Sequence, residues 1–363
     1  MKISFLIGGM DSGGAERVIS ILSNWFSARH KVNIISWNNN ESFYALNENI
    51  IHQKLDLTYN NSYRNHLAFN IKRVNSLRKL LKSTKPDVLI SFITPNNVLA
   101  ICAAKTVGIP VIVSERGELF SADISPFWQR LRKMTYRFAD ALVLQTHEAK
   151  EIAIRKHLQA RRNVVIANPI SVDTEPIPEK EKVILFAGRL SKDKSVKDLL
   201  TAFSRLINQY PDYSLWIVGE GTEKEALMTT AVEIGIVSKT VFWGTQKDVK
   251  PFYHKASIFV LPSISEGFPN VLLEAMNYKA IVVSSNCPMG PKEIIQNGVN
   301  GFLYEPGDIN QLELYLNRIM SNPPELSKLT DVALKSLDKY AIDNISQEWE
   351  NIINEVKKAI NKF

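Results

Sequence analysis

A turn that leads into a helix is predicted by Ser265-Glu266-Gly267-Phe268-Pro269-Asn270-Val271-Leu272-Leu273-Glu274-Ala275-Met276, directly after the strand-like run Ser257-Ile258-Phe259-Val260-Leu261. Glu266 then falls in the loop and Glu274 inside the helix. Backbone amides at a helix N-terminus attract an anion, while carboxylates accept hydrogen bonds from a diol. This arrangement suits a ligand that is both anionic and rich in hydroxyl groups, such as a nucleotide sugar. Two solvated glutamates near an ordinary helix start would show the same spacing.

The length and composition predict two globular domains. A chain of 363 residues exceeds the usual single core, and its apolar and charged fractions are ordinary for a globular protein. No apolar run approaches the roughly 18 residues of a membrane span, and Lys2-Ile3-Ser4-Phe5-Leu6-Ile7 is too short for a signal peptide. Cys102 and Cys287 have neither metal-site nor redox spacing, which predicts free thiols in a reducing compartment. We therefore expect a cytoplasmic protein.

Charge is distributed unevenly between the two halves of the chain. Residues 1–168 hold 23 lysines and arginines against 12 acidic residues (+11), and the remainder holds 21 against 25 (−4). A basic first half predicts an acidic partner such as a membrane surface, a polyanionic lipid carrier or nucleic acid. Nucleic-acid module signatures are absent from the sequence, so we expect an anionic membrane surface as a partner and no nucleic acid.

A helix predicted over residues 67–82 sharpens this expectation, because its apolar and basic residues fall on opposite faces. A solvated helix face remains an alternative interpretation, but the basic residues favour contact with a lipid surface or phosphate. The candidate membrane-facing residues are Lys72, Arg78, Lys79 and Lys82.

Short β-branched runs alternate with helix-length segments along the chain, which predicts α/β architecture with parallel sheets. The predicted strands cover residues 2–7, 31–36, 87–92, 111–114, 141–144 and 164–167, and then 183–187, 215–218, 241–243, 258–261 and 281–284. The interruption near residues 168–182 predicts two doubly wound, Rossmann-like domains, residues 1–168 and 169–344, followed by a C-terminal helix within residues 345–363.

The first predicted turn, Gly8-Gly9-Met10-Asp11-Ser12-Gly13-Gly14, holds four glycines in seven residues and favours a binding loop over a merely permissive turn. It does not fit G-x-G-x-x-G, which makes a nicotinamide enzyme improbable on these residues. The loop therefore predicts a ligand other than a dinucleotide, with Gly13 and Gly14 at the start of the helix.

Two cations follow the first strand of the second predicted domain, in Gly188-Arg189-Leu190-Ser191-Lys192-Asp193-Lys194. Arg189 can fork across a diphosphate and Lys194 can add a point charge, although each alone is more often a surface cation. The sequence contains no Asp-x-Asp triplet to hold a divalent ion on a diphosphate. The six histidines form no cluster with metal spacing. These features predict a metal-independent site without a cofactor.

Weaker signals lie at further strand ends. Gly219 and Gly221, with Gly244 and Thr245, predict a border for a nucleobase, although both segments are also ordinary turns. Glu115 and Arg116 follow a strand in the first half and predict contacts on the acceptor side, with a surface ion pair as the alternative.

With these elements the chain resembles the retaining GT-B glycosyltransferases of family 4, also called glycosyl transferases group 1, over nearly its whole length. The segment from Glu266 to Glu274 is similar to the E-x7-E element of that family, and Arg189 and Lys194 match its donor diphosphate cations. The resemblance implies an acceptor-binding first domain, a donor-binding second domain and a final helix that crosses back to the first. It also implies that Glu274 binds the ribose diol and that Glu266 lies near the transferred sugar.

Gly13-Gly14-Ala15-Glu16-Arg17 and Ser114-Glu115-Arg116 resemble most the members that extend undecaprenyl-diphosphate-linked glycans, including bacterial N-acetylgalactosamine transferases. This places Glu16 among the acceptor-side candidates. Many family members have a histidine where Glu115-Arg116 stands here. The remaining candidates at the donor site are Gly188, Gly267, Phe268, Pro269, Asn270 and Val271.

The expected activity is retaining transfer of a hexose or N-acetylhexosamine from a nucleotide diphosphate donor to a lipid-linked saccharide, with Arg189, Lys194 and Glu266 as the catalytic candidates. The enzyme would act at the inner face of the cytoplasmic membrane. Three alternatives remain open on the sequence: an inverting GT-B transferase, a nucleotide-sugar epimerase, and a sensor that binds a sugar nucleotide without catalysis.

Overall fold

The computed structural model describes residues 1–58, 66–117, 119, 124–172, 176–322 and 327–360. The chain divides into two compact units. Unit 1 contains Met1–Pro169 and Ile342–Phe363, and unit 2 contains Ile170–Ala341. Each unit is built around its own parallel sheet.

Thirteen strands are numbered in chain order within the described residues. Unit 1 holds β1 (Lys2–Ile7), β2 (Lys31–Ser36), β3 (Ile51–Lys54), β4 (Val88–Phe92), β5 (Val111–Ser114), β6 (Ala141–Leu144) and β7 (Asn163–Val165). Unit 2 holds β8 (Glu181–Ala187), β9 (Ser214–Val218), β10 (Thr240–Gly244), β11 (Ala256–Leu261), β12 (Ile281–Ser285) and β13 (Phe302–Tyr304).

Thirteen α-helices accompany them among the same residues: α1 (Gly14–Ser27), α2 (His66–Thr84), α3 (Thr94–Lys105), α4 (Pro126–Thr135), α5 (His147–Arg155), α6 (Val196–Leu206), α7 (Lys224–Glu233), α8 (Lys250–Lys255), α9 (Asn270–Asn277), α10 (Pro291–Ile294), α11 (Ile309–Ser321), α12 (Ser327–Ser336) and α13 (Ile342–Ile360).

Both sheets reverse their strand order at the first strand of the unit. The order is β3-β2-β1-β4-β5-β6-β7 in unit 1 and β10-β9-β8-β11-β12-β13 in unit 2, and every pairing is parallel. Phe5 of β1, for example, pairs with Ile34 on one side and with Ile90 on the other. Open α/β sheets bind ligands beyond the carboxyl ends of their strands at such a reversal. Ligand binding is therefore expected at the carboxyl ends of β1 and β8.

The eleven predicted strands are all present, with boundaries within two residues of the prediction. Sequence reasoning missed β3 and β13, which are edge strands of the two sheets. Ile51-His52-Gln53-Lys54 is mostly polar and has no fully buried residue, and Phe302-Leu303-Tyr304 is only three residues long. Neither strand has the continuous buried apolar run that marks central parallel strands.

Helix α13 packs onto the sheet of unit 1, although it follows the last residue of unit 2 in the sequence. Trp349 is fully buried in the core of unit 1, where its ring stacks on Phe92 with centroids 5.9 Å apart. At the end of the helix, Lys357 Nζ forms an ion pair of 2.8 Å with Asp87 Oδ1. Buried apolar residues, with Trp349 the largest, and polar contacts such as this ion pair thus hold the C-terminal helix to the rest of unit 1.

None of the helices in the described part of the chain is long and apolar enough to cross a membrane.

Candidate active site

The carboxyl ends of β8, β9 and β10 are joined backbone to backbone. Gly188 N–H donates to the Val218 carbonyl at 2.9 Å, and Gly219 N–H donates to the Gly244 carbonyl at 2.8 Å. Gly219 has a φ of 137°, and a Cβ at this position would lie 1.9 Å from the Gly188 carbonyl oxygen. Only glycine fits this contact. The backbone segments at Gly188, Gly219 and Gly244 therefore lie side by side at this edge of the sheet. Thr245, the next residue, is exposed.

Gly221 also packs closely against the backbone after β8, because a Cβ there would lie 2.1 Å from the Leu190 carbonyl oxygen. Leu190 N–H in turn donates to the Glu220 carbonyl at 2.8 Å. The turn after β9 therefore packs against the segment that carries Arg189 and holds it in position. Arg189 is exposed, and its side chain forms no hydrogen bond or ion pair with any residue that the structure describes. Its guanidinium is available to a ligand.

Lys194 and Glu266 form an ion pair between the turn after β8 and the turn after β11. Lys194 Nζ lies 2.8 Å from Glu266 Oε1, and the two side chains are 19% and 13% exposed. Ser263 Oγ donates to the same Glu266 oxygen at 2.6 Å. Asp193 flanks Lys194 at 3.3 Å. The structure therefore brings together two of the three residues that the sequence predicts as catalytic.

Backbone geometry sets this pair. Ile264 N–H donates to the Asp193 carbonyl at 2.8 Å and ties the two turns together. Ser195 follows Lys194 with a φ of 44°, a left-handed conformation that ends the short 3₁₀ turn Lys192–Lys194 and begins α6. Burial alone would lower the pKa of Lys194, but the charge and hydrogen bond of Glu266 outweigh it and raise that pKa. Lys194 is therefore a stable cation at neutral pH.

The loop from Gly267 to Pro269 packs tightly against Gly290. A Cβ at Gly290 would lie 2.7 Å from Pro269 Cδ and 3.0 Å from the Gly267 carbonyl oxygen. Phe268 is buried against Tyr340, with an edge-to-face contact of 5.7 Å between ring centroids. These contacts fix the entry to α9, which begins at Asn270 without a side-chain cap.

Glu274 lies inside α9, as the sequence predicts, and it is 8% exposed. The Tyr253 hydroxyl donates to Glu274 Oε2 at 2.9 Å and orients the carboxylate. Asn270 and Val271, one turn earlier on the helix, are half-buried. Sequence reasoning did not find Tyr253, Ser263 or Gly290, because none of them belongs to a motif and each acts through a contact distant in sequence.

The glycine-rich loop of unit 1 lies at the carboxyl end of β1. Gly13 precedes the first residue of α1, Gly14, and it caps the helix without a side chain. Glu16 lies in the first turn of α1, where burial, and to a lesser degree the charge of Asp11, raises the pKa of its carboxyl group. The Tyr44 hydroxyl donates to the Gly13 carbonyl at 3.2 Å and secures the loop.

Glu115 is directed into the interior of unit 1. Its carboxylate accepts hydrogen bonds from Thr94 Oγ1 at 2.8 and 3.0 Å and from the Tyr136 hydroxyl, and Arg132 Nη1 lies 3.7 Å away. Burial raises the pKa of Glu115, and Arg132, Tyr136 and Thr94 only partly oppose this effect. All of these contacts are internal, so an acceptor-side role for Glu115 stays a prediction. The sequence offers no signal for this network.

Arg116, the neighbouring residue, lies beside Asn168 and over the ring of Phe92.

The four cations of α2 that were predicted to face a membrane, Lys72, Arg78, Lys79 and Lys82, are all exposed. The structure adds a second exposed face that sequence reasoning missed. On α4 and the turn that follows, Phe127, Met134 and Phe138 are 48%, 54% and 51% exposed.

Cys102 and Cys287 are free thiols. Burial raises the pKa of Cys287 to about 11, which keeps that thiol protonated. Groups of three or more histidine, cysteine or acidic residues able to hold a metal ion do not occur among the described residues.

The parallel sheets and the paired charges at the second sheet define an α/β protein of the GT-B type. A solved structure titled lipopolysaccharide outer core galactosyltransferase WaaB, apo form, superimposes with a TM-score of 0.78 at 25% identity and covers 98% of this chain and 99% of its own. The fold class predicted from the sequence is therefore confirmed.

Two family models together match most of the chain. The model described as Glycosyltransferase Family 4 matches residues 12–174, and the model described as Glycosyl transferases group 1 matches residues 169–335. The chain belongs to this family of glycosyltransferases, as its resemblance implied.

Named relatives share nearly the whole length. A Campylobacter jejuni protein named GalNAc-alpha-(1->4)-GalNAc-alpha-(1->3)-diNAcBac-PP-undecaprenol alpha-1,4-N-acetyl-D-galactosaminyltransferase is 32% identical and covers 99% of this chain and 100% of its own. A lipopolysaccharide 1,6-galactosyltransferase of Salmonella typhimurium is 30% identical and covers 94% of this chain and 95% of its own.

Proposed function

We propose that this glycosyltransferase moves a hexose or N-acetylhexosamine from a uridine diphosphate donor to a polyprenyl-diphosphate-linked saccharide, with retention at the anomeric carbon. The best candidates for the sugar are N-acetylgalactosamine, galactose and N-acetylglucosamine. The names of the Campylobacter and Salmonella relatives support sugars and acceptors of this kind. The product would enter a surface polysaccharide, such as O-antigen or capsule, or a protein glycan.

The observation that carries the proposal is the charge arrangement after β8 and β11. The available guanidinium of Arg189 and the partly exposed pair of Lys194 and Glu266 lie in the turns that follow two neighbouring strands of one sheet. Loss of the nucleoside diphosphate creates negative charge that dominates the barrier. Preorganised donors aimed at such charge are each worth about 3 kcal/mol. Arg189 and Lys194 would supply this stabilisation without a metal ion or cofactor.

Glu266 has two tasks in this scheme. It holds Lys194 in place through the 2.8 Å ion pair, and a donor diphosphate would compete with it for the ammonium group. Its carboxylate would then be free to accept a hydrogen bond from the hydroxyls of the transferred sugar. Same-face attack, with a donor phosphate oxygen receiving the acceptor proton, requires no protein nucleophile.

Glu274 would bind the nucleotide. The hydrogen bond from Tyr253 to Oε2 orients the carboxylate, which would accept a hydrogen bond from a ribose hydroxyl. Amides at the start of α9, near Gly267 and Phe268, would face the diphosphate. Gly219, Gly221, Gly244 and Thr245 would border the base through backbone groups.

We further propose that unit 1 associates with an anionic membrane surface, at the cytoplasmic face. On α4 and the following turn, the exposed cations Arg130, Lys133 and Arg137 accompany the exposed apolar residues Phe127, Met134 and Phe138. At 100° per residue each group forms its own stripe, which is the pattern of a helix lying in a membrane interface. The cations of α2 would add electrostatic attraction to anionic lipids.

The proposal is tested by transfer to a polyprenyl-diphosphate saccharide, with a panel of uridine and guanosine diphosphate sugars as donors. Arg189→Ala and Glu274→Ala should each lower turnover by at least about 100-fold while the fold persists. Arg205→Ala, which removes an exposed cation paired with Glu313, is the matched control and should retain activity. The anomeric configuration of the product distinguishes retention from inversion, and near-normal activity of both site variants would refute the assignment.

A further inference from the structure

Arg116 is half-buried as a residue, but two nitrogens of its guanidinium group, Nε and Nη2, are shielded from solvent. It follows β5, and its guanidinium carbon lies 4.2 Å from the ring centroid of Phe92 and 5.4 Å from that of Trp349. Among the described residues, no carboxylate lies within ion-pair distance of Arg116. The adjacent Glu115 is turned to the other network, where it pairs with Arg132. The aromatic rings hold the guanidinium plane in position but do not neutralise its charge.

The hydrogen bonds of Arg116 are also incomplete. Nη1 donates to Asn168 Oδ1 at 2.5 Å. Nε and Nη2 are fully buried and have no hydrogen-bond partner within the part of the chain that the structure describes. Burial lowers the pKa of Arg116 to about 9. A buried charge without a counterion and with unsatisfied donors destabilises a fold, and such groups are rare unless they serve a ligand.

The identity of the two unpaired nitrogens indicates the ligand. The N–H of Nε and one N–H of Nη2 lie on the same edge of the planar guanidinium and point in parallel. This edge is the fork that binds two oxygens of a phosphate or carboxylate at once. Nη1, which is bonded to Asn168, lies on the other side of the group. The unsatisfied part of Arg116 is therefore the bidentate part.

A further donor belongs to the same group of side chains. The indole Nε1–H of Trp349, whose ring is one of the two in contact with Arg116, is buried and has no partner among the described residues. Indole nitrogen only donates, as guanidinium nitrogens do. Unpaired donors with no acceptor among them indicate a missing anion. The position also fits, because Arg116 follows the carboxyl end of a strand in a parallel sheet.

We infer that Arg116 is a phosphate-recognition residue, whose Nε and Nη2 bind two oxygens of one phosphate group in a substrate diphosphate. The inference rests on the proposed function in one respect, because that reaction uses diphosphates on both substrates. The phosphate belongs either to the nucleotide donor or to the polyprenyl-diphosphate acceptor, and the chemistry of recognition is the same for both. Because both nitrogens are shielded from solvent, the groups that cover them must shift when the phosphate binds.

The test compares binding to the full chain of three probes: inorganic pyrophosphate, uridine diphosphate and a short-chain polyprenyl diphosphate. Calorimetric titration of Arg116→Gln should show about 100-fold weaker binding of at least one diphosphate, since charge and fork are both lost. Arg116→Lys keeps the charge and loses the fork, and about 10-fold weaker binding is expected. Loss for uridine diphosphate alone assigns Arg116 to the donor, and loss for the polyprenyl diphosphate alone assigns it to the acceptor.

Arg73→Lys is the matched control. Arg73 also stacks on two aromatic rings, Trp37 and Phe69, but its Nε donates to the Leu57 carbonyl at 2.8 Å. This variant should bind all three probes normally. The urea midpoint of ligand-free Arg116→Gln should equal or exceed that of the natural protein, because an uncompensated buried charge is removed.

A lower midpoint of Arg116→Gln with unchanged affinity for every probe would show a structural role and overturn the inference. Unchanged affinity in Arg116→Lys would overturn it as well if Arg116→Gln fails to fold. These measurements require no turnover. Dependence of binding on Arg116 in a chain that transfers no sugar would therefore refute the proposed function and leave the inference intact.

Discussion

Two ion pairs, each with a glutamate in the segment after a sheet strand, differ in how far they are exposed to solvent. In unit 2, Lys194 and Glu266 are 2.8 Å apart and retain 19% and 13% exposure. In unit 1, Arg132 and Glu115 are 3.7 Å apart with 1% and 7% exposure. Burial raises the pKa of the Glu115 carboxyl group, whereas the ion pair with Glu266 raises the pKa of Lys194.

The difference in exposure between the two pairs shows that the fold can give similar residues different roles. The carboxylate of Glu115 accepts hydrogen bonds from Thr94 and Tyr136, so protein groups already use its capacity as a hydrogen-bond acceptor. Glu266 and Lys194 have fewer internal partners and are reachable from solvent, and the available Arg189 lies in the same turn as Lys194. We call Arg132–Glu115 the closed pair, because its members are buried and bonded within unit 1. We call Lys194–Glu266 the open pair, because its members can be reached from solvent and can exchange their internal partner for a ligand.

Breaking the closed pair should have the largest effect on stability. Arg132→Met leaves Glu115 buried without its cation, and removal of one partner of a buried pair costs about 3–5 kcal/mol. Urea unfolding followed by circular dichroism measures this loss. Lys133→Met, an exposed change at the next position of α4, should remain within about 0.5 kcal/mol of the natural protein.

The loss from Arg132→Met should shrink at low pH. The pKa of Glu115 is already raised in the fold, and removal of the cation raises it further, so the folded variant holds its proton more tightly than the unfolded chain. The penalty is therefore complete above the folded pKa and decreases as the pH falls through it. A pH-independent loss would show that the charge of Glu115 is not its cause.

Breaking the open pair should affect catalysis rather than folding. Lys194→Met is expected to lower turnover by about 100-fold or more, because a donor to the leaving diphosphate is lost. Its free energy of unfolding should fall by less than the loss expected for Arg132→Met, because the Lys194–Glu266 pair is the more exposed of the two. Lys192→Met changes an exposed lysine in the same turn and should be nearly normal in both respects. Strong destabilisation with intact activity would reverse the comparison.

The smallest expected effect extends the comparison to the two whole units. Reversal of Lys72, Lys79 and Lys82 to Glu should weaken sedimentation with anionic vesicles by about 10-fold or more at low salt, and less at high salt. The control reverses three exposed lysines of unit 2, Lys182, Lys197 and Lys247. Equal vesicle binding by both triple variants at low salt would make α2 an ordinary solvated face.

The central strands were predictable because each is a continuous apolar run that is buried on both faces, such as Val88–Phe92. The edge strand Ile51–Lys54 was not, because its residues are half-exposed and mostly polar. The placement of Glu266 in a loop and Glu274 in a helix followed from Gly267 and Pro269. The boundary between a loop and a helix depends on a few neighbouring residues, so it can be predicted from the local sequence.

The sequence by itself determined the two-sheet α/β class, the family motif from Glu266 to Glu274, and Arg189 and Lys194 as cations after β8. These depend on short-range patterns of apolar, turn and charged residues. Only the tertiary structure decided that Glu266 pairs with Lys194, that Glu274 bonds Tyr253 and that Glu115 is buried beside Arg132. It also decided that Nε and Nη2 of Arg116 lack a partner among the described residues. Partner choice depends on contacts between distant segments and on burial, which no local pattern specifies.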